Sequence, residues 1–200
     1  PSPTPAPSVV PGIAVVTDGN DANDTTDEPQ IRAKGTSFDY TCNSDAIKDL
    51  SKRRWFLSDV VGALRTEEDG TRYDEIYWKL SQQGNKKNKK ATKVTMQWST
   101  PQELRKRFGI QNIGGDRAVL ITFDGPVSIA ANQTIEREQF DDEGIDQVRR
   151  VQMFEANGKV RTVVGLNQES SARMSSNGWK KDSKRQNVRI ELDIERIYAQ

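Results

Sequence analysis

Hydrophobic and polar positions change rhythm twice along this chain. From Pro1 to Gln30 there is no apolar period: Pro1, Pro3, Pro5, Pro7 and Pro11 alternate with Ser, Thr and Ala, and residues 17–30 are polar and acidic. Such a stretch favours extended polyproline-II and has little to bury, although Gly12 to Val16 has the character of a short strand. The pattern predicts a Pro-rich acidic arm over residues 1–35 and a β-rich globular domain over 36–200. A candidate sub-boundary falls near residues 112–116.

Ser37 to Cys42 alternate polar and aromatic residues as a short strand does. Asn43 and Ser44 are good helix N-caps, and Ile47, Leu50, Arg54 and Leu57 then recur at helical spacing through Trp55, Val60, Val61 and Leu64. That spacing predicts one helix or two short ones. Period-two alternation from Tyr73 to Leu80 predicts a strand with Ile76, Trp78 and Leu80 on its inner face, and Lys93 to Trp98 predicts another presenting Val94, Met96 and Trp98. The polar run Gly84 to Lys90 between them completes a long-looped hairpin. Thr100, Pro101 and Glu103 form a helix start, and Phe108 and Gly109 its end.

Beyond Gly115 the chain reads as β: Arg117 to Phe123, Val127 to Ile129, Gln147 to Phe154, Lys159 to Leu166 and Asn187 to Ile197, with Asn157-Gly158 as a hairpin turn. The expected fold class is α+β, mostly antiparallel β and sandwich-like, with one or two short helices behind the extended arm.

Composition sharpens this picture. Only 34% of the 200 residues are hydrophobic and the mean hydropathy is −0.80. No apolar run approaches the roughly 18 residues that cross a bilayer, so no membrane insertion is expected. The chain begins at Pro1 without a hydrophobic leader and reads as a processed product or a cut piece. Cys42 is the single cysteine, which excludes an internal disulfide and favours an inert buried thiol. The absence of histidine removes Ser-His-Asp and Cys-His nucleophile activation together with the commonest transition-metal ligand. No cofactor is expected. Charge is unevenly spread: Asp18, Asp21, Asp24, Asp27 and Glu28 stand alone before Arg32, giving −5, so the remainder carries +6 of the overall +1. That excess attracts anionic surfaces but falls short of a dedicated nucleic-acid binder, and nucleic acid is not the favoured partner.

Three basic stretches are candidates for chemistry. KRRW (Lys52 to Trp55) joins cations to an aromatic ring. The loop carrying Lys86, Lys87, Lys89, Lys90 and Lys93 is the densest. Trp179, Lys180, Lys181, Lys184 and Arg185 form the third. Cations attract phosphate, sulfate or carboxylate, and Trp offers a stacking face to a sugar or base. A purely solvated role is equally physical, since lysines in loops and on sheet edges prevent unwanted pairing. The acidic run Glu136 to Asp146 lacks the EF-hand spacing and reads as a solvated loop rather than a calcium site or a paired-carboxylate hydrolase. Gly114 and Gly115 match no nucleotide-binding fingerprint.

RAVLITFDGPV (Arg117 to Val127), DQVRRVQMFEANGKVRTVVGLN (Asp146 to Asn167) and NVRIELDI (Asn187 to Ile194) together resemble the AMIN domain of bacterial cell-wall amidases and secretin pores. In that family a strand ending in a Phe-Asp-Gly-Pro-like turn precedes V-R-x-V-Q, R-x-V-V and a final alternating strand. Thr162 and Gly165 depart from the usual continuation of the third motif, and the stretch before Arg117 has no counterpart. The resemblance implies a two-sheet sandwich that binds peptidoglycan and localises a larger envelope machine without catalysis. The expectation is an extracytoplasmic, non-enzymatic module for an anionic glycan polymer. The alternative is a structural subunit of a viral, phage or surface assembly, in which the acidic arm docks on the basic body of a neighbouring copy.

Overall fold

The structure is a computed structural model. It describes residues 46–84, 86–140, 144–167, 170–180 and 186–196, with the backbone alone for 46–49 and 177–180. In chain order the elements are β1 (Ala46–Asp49), β2 (Arg54–Thr66), β3 (Arg72–Gln83), β4 (Lys93–Ser99), α1 (Pro101–Phe108), β5 (Arg117–Asp124), β6 (Val127–Ile129), β7 (Gln133–Glu136), β8 (Val148–Ala156), β9 (Lys159–Leu166), β10 (Ala172–Lys180) and β11 (Gln186–Glu195). They form a six-stranded sheet in the order β1-β4-β5-β9-β8-β7 and a five-stranded sheet in the order β10-β11-β3-β2-β6. All pairings are antiparallel except the three-residue contact of β2 with β6. The fold is the sandwich-like, mostly antiparallel one that the alternation implies, with a single α-helix among the described residues. All of these elements belong to one unit spanning Ser37–Gln200.

Period-two alternation supplies the core. Ile76, Trp78 and Leu80 of β3 and Val188, Ile190, Leu192 and Ile194 of β11 face Val94, Met96, Val119, Ile121 and Phe123 of β4 and β5, all within one buried cluster. Trp78 meets Phe123 edge to face, with ring centroids 6.5 Å apart. Trp98 packs against the same cluster at its margin. The Asn157-Gly158 turn joining β8 to β9 takes positive φ at both residues, 51° and 68°, as a tight hairpin turn demands.

Two expectations are corrected. In place of the helix expected between Asn43 and Leu64 stand β1, a short non-strand link over residues 50–53, and β2, which pairs with β3 from Arg54↔Gln83 to Thr66↔Arg72. A bulge explains the helical rhythm. The register shifts between Leu57 and Asp59, so Ser58 is an extra residue, and the core positions Leu57 and Val60 on either side of it lie three residues apart instead of two. That spacing of three imitates a helical stripe although Arg54–Thr66 is strand throughout. The hairpin expected from Tyr73 to Trp98 is also absent: β3 pairs with β2 and β11, while β4 pairs with β1 and β5 in the other sheet. The polar run after Gly84 is therefore a crossover between sheets.

Two backbone approaches hold the segment before β5 against the Leu166 end of β9. The segment Ile110–Gly115 crosses the outer side of β9, and a Cβ on Gly165 would lie 1.5 Å from the Ile113 carbonyl oxygen. A Cβ on Gly115 would lie 1.8 Å from the Leu166 carbonyl oxygen. Near the same end of β9, buried Asp74 accepts the backbone N–H groups of Asp146 at 2.9 Å, Gln147 at 2.5 Å and Val148 at 3.3 Å, and the Arg196 guanidinium at 2.8 Å. This carboxylate of the five-stranded sheet thereby holds the start of β8 in the six-stranded one.

Candidate basic cleft

Helix α1 begins where its sequence says it should. Thr100 accepts from the Glu103 N–H at 3.3 Å and the Glu103 carboxylate accepts from the Thr100 N–H at 2.9 Å, while Gly109 closes the last turn at φ 71°. The hydrogen bonds from Thr100 and from the Ser99 hydroxyl hold the Glu103 carboxyl below its ordinary range. The helix drops Leu104 and Phe108 onto the outer face of the six-stranded sheet, where Ile110, Ile113, Ala118, Leu120, Phe154 and Val163 complete a second, smaller core.

That cover is partial. On β5 the outward positions run Ala118, Leu120, Thr122, Asp124, and on β9 they run Gly165, Val163, Arg161, Lys159 in the paired direction. Both strands are apolar under the helix and polar beyond it. On β4 the corresponding positions are Lys93, Thr95 and Gln97, paired with Asp124, Thr122 and Leu120. The uncovered half of the face, walled by Arg107 from α1, is a cleft of about 230 Å³.

Four cations, Lys93, Arg107, Lys159 and Arg161, surround the single carboxylate of Asp124. Lys159 Nζ donates to Asp124 Oδ2 at 2.6 Å. The guanidinium carbons of Arg107 and Arg161 both lie 5.0 Å from the centroid of the Phe108 ring, which is itself packed on Phe154 at 5.5 Å. Two guanidiniums are thus gathered on one aromatic ring. Arg161 Nη1 donates to the backbone carbonyls of Ala156 and, at 3.4 Å, Lys159, which fixes its direction. Burial and then the neighbouring charge of Arg107 hold the Arg161 guanidinium below its ordinary range, with Asp124 pulling the other way. An anion entering the cleft offsets the repulsion between these two guanidiniums.

The outer face of the five-stranded sheet is charged too, but there the charges answer one another. Arg65 pairs with Glu75 at 3.2 Å, Arg173 with Asp193 at 2.8 Å and with Glu67, Ser175 donates to Glu191 at 2.9 Å, and Arg189 lies 4.2 Å over the Tyr77 ring. Glu75, Glu191 and Asp193 are buried in that network. In the cleft, by contrast, four cations face one carboxylate.

Of the residues singled out from sequence, Lys93 lines the cleft. Lys86, Lys87, Lys89 and Lys90 are exposed on the crossover leading to it, which is tied down where the Asn88 N–H donates to the Lys52 carbonyl at 2.9 Å. Trp179 and Lys180 end β10, described by backbone alone, and Lys181, Lys184 and Arg185 lie outside the described residues, as do Cys42 and the arm. In the KRRW stretch, Trp55 is wholly buried in the core and offers no stacking face. The acidic run is partly structural: Phe140 and Ile145 are buried against Gly62, and Glu136 pairs with Arg150. Among the described residues no group of His, Cys, Asp or Glu is placed to hold a metal ion, and no helix is long and apolar enough to cross a membrane. Sequence reading missed Arg107, Lys159 and Arg161. The signal was present in the switch from apolar to polar outward residues along Arg117–Asp124 and Lys159–Leu166, but it needs the pairing register to become a site.

Comparison with protein-family models, curated proteins and solved structures finds no match to this chain.

Proposed function

We propose that this domain is a non-catalytic binding module for an anionic glycan polymer such as peptidoglycan, working outside the cytoplasm, and that the basic cleft is where the polymer's anionic groups are held. The observation that carries the reading is the clustering of Arg107 and Arg161 on the Phe108 ring, with Lys93 and Lys159 beside them and one carboxylate in their midst. Like charges are costly to bring together, and a fold that buries one of them serves an anionic partner. The resemblance of residues 117–194 to AMIN domains supports the same class of ligand. The exposed lysines at 86, 87, 89 and 90 extend the positive field along the crossover into Lys93.

The test is retention on purified peptidoglycan sacculi at low and high salt, for the unmodified chain and for Arg107→Ala. Retention that falls steeply with salt and drops in the variant supports the reading. Equal, negligible retention of both proteins at low salt overturns it. Retention of the chain on an immobilised peptide of residues 17–30, in place of sacculi, favours the assembly alternative.

A further inference from the structure

We infer that the cleft is a phosphate site: Arg107 and Arg161 grip one phosphate ester carried on a sugar, and Asp124 is a built-in competitor that holds Lys159 until the ligand displaces it. The inference rests on the binding reading above and narrows the polymer's anionic group to a phosphate ester.

Charge comes first. Two guanidiniums share one ring at 5.0 Å each, so the site concentrates two fixed positive charges on a small area. A phosphate monoester carries about −1.5 to −2 at neutral pH, against −1 for a carboxylate or a sulfate ester, and matches that doublet. Geometry points the same way. Arg161 spends Nη1 on the carbonyls of Ala156 and Lys159, which leaves Nε and Nη2 as its donors for a ligand. A forked pair of donors from one arginine, and a second arginine beside it, suit a tetrahedral group with three terminal oxygens.

Size restricts the ligand. At about 230 Å³ the cleft lies below the usual range for an enclosed drug-sized molecule, so it takes one head group rather than a length of polymer. Its floor beyond the charges is Thr95, Gln97 and Thr122, neutral groups that donate to and accept from sugar hydroxyls. Asp124 sets selectivity. Paired with Lys159 at 2.6 Å and standing across the β4–β5 register from Lys93, it disfavours any weakly held anion and yields only to one that engages the arginines.

The experiment titrates the full chain with glucose 1-phosphate and, at matched ionic strength, with glucuronate, which presents a carboxylate on the same type of ring. Binding is read from arginine Nε–H chemical shifts and from calorimetry. The expected result is saturable binding of the sugar phosphate, with glucuronate at least about tenfold weaker, loss of about tenfold or more in Arg107→Ala, and tightening of a few-fold in Asp124→Asn. Arg107 is exposed on α1, so its truncation leaves the fold intact. Equal affinity for the two sugars, or an Arg107→Ala protein that binds glucose 1-phosphate as the unmodified chain does, overturns the inference. Retention on sacculi without any response to the sugar phosphate sinks the phosphate site and leaves the polymer reading standing. A response to the sugar phosphate without retention on sacculi does the reverse.

Discussion

Asp74 shows how little of a buried role is visible in the neighbouring letters. It sits in Tyr73-Asp74-Glu75, where alternation marks it only as an inward position on a strand. Its three backbone N–H donors come from more than seventy residues away, and its guanidinium partner from more than a hundred. Removing the carboxylate leaves the half-buried Arg196 guanidinium without its counter-charge and those N–H groups without their acceptor, so Asp74→Ala is expected to cost roughly 3–5 kcal/mol by urea titration. Gly165 is a second case. Its departure from the AMIN-like pattern reads in sequence as a loosened motif, whereas the structure gives it a steric reason: a methyl group there meets the Ile113 carbonyl, a backbone atom that cannot swing aside. Gly165→Ala is expected to lower stability by about 1–3 kcal/mol or more, measured in the same titration. The period-two core positions were legible because each strand states its own inner face; these two residues were not, because their partners are distant.

Helix α1 was readable in full and the longest described strand was not. Capping chemistry is local, so Thr100, Pro101, Glu103 and Gly109 announce α1 within ten residues. Thr100→Ala is expected to cost about 1 kcal/mol in thermal melts. Glu103 adds a pH dependence of definite sign. Its carboxyl titrates lower in the folded chain than its ordinary value of 4.5, so its contribution is fully present above that value and is lost as the pH falls through the folded one. The gap in melting temperature between the unmodified chain and Glu103→Gln is therefore expected at neutral pH and to close toward pH 2; a gap that persists unchanged in acid contradicts the capping role. For β2 the local signal misleads. One extra residue at Ser58 turns a strand's spacing into a helix's, and only pairing with β3 across twelve registered positions decides the matter.

At the scale of the molecule, the cleft depends on the register of β4, β5 and β9 and on how far α1 reaches across them, and none of these is written in one segment. Lys93 alone was named from sequence because it closes a conspicuous lysine run; Arg107, Lys159 and Arg161 look like ordinary strand and helix polar residues. Binding through such a cleft is screened, and the affinity for sacculi is expected to fall as salt rises past physiological strength, where the Debye length is about 8 Å.

The order in which the two sheets are built carries one more consequence. The chain visits them alternately: β1 in one, β2 and β3 in the other, then back for β4 and β5, across for β6, back for β7 to β9, and across again for β10 and β11. No contiguous stretch contains either sheet. The fragment 112–200, which holds the AMIN-like motifs, leaves β11 without β3 and β5 without β4, and is expected to show no cooperative melt in circular dichroism. During synthesis β3 acquires its second partner only when β11 emerges, the last of the described strands, so half of its backbone ladder waits open while the segment from β4 to β10 is made. Pairings of such wide sequence separation close slowly, and stopped-flow refolding of the intact chain is expected on the scale of milliseconds to seconds. Throughout that interval a half-paired strand rich in Tyr, Trp and Ile keeps one open edge exposed to neighbouring molecules, which makes dilution, or a holding chaperone, the condition for recovering this protein from denaturant.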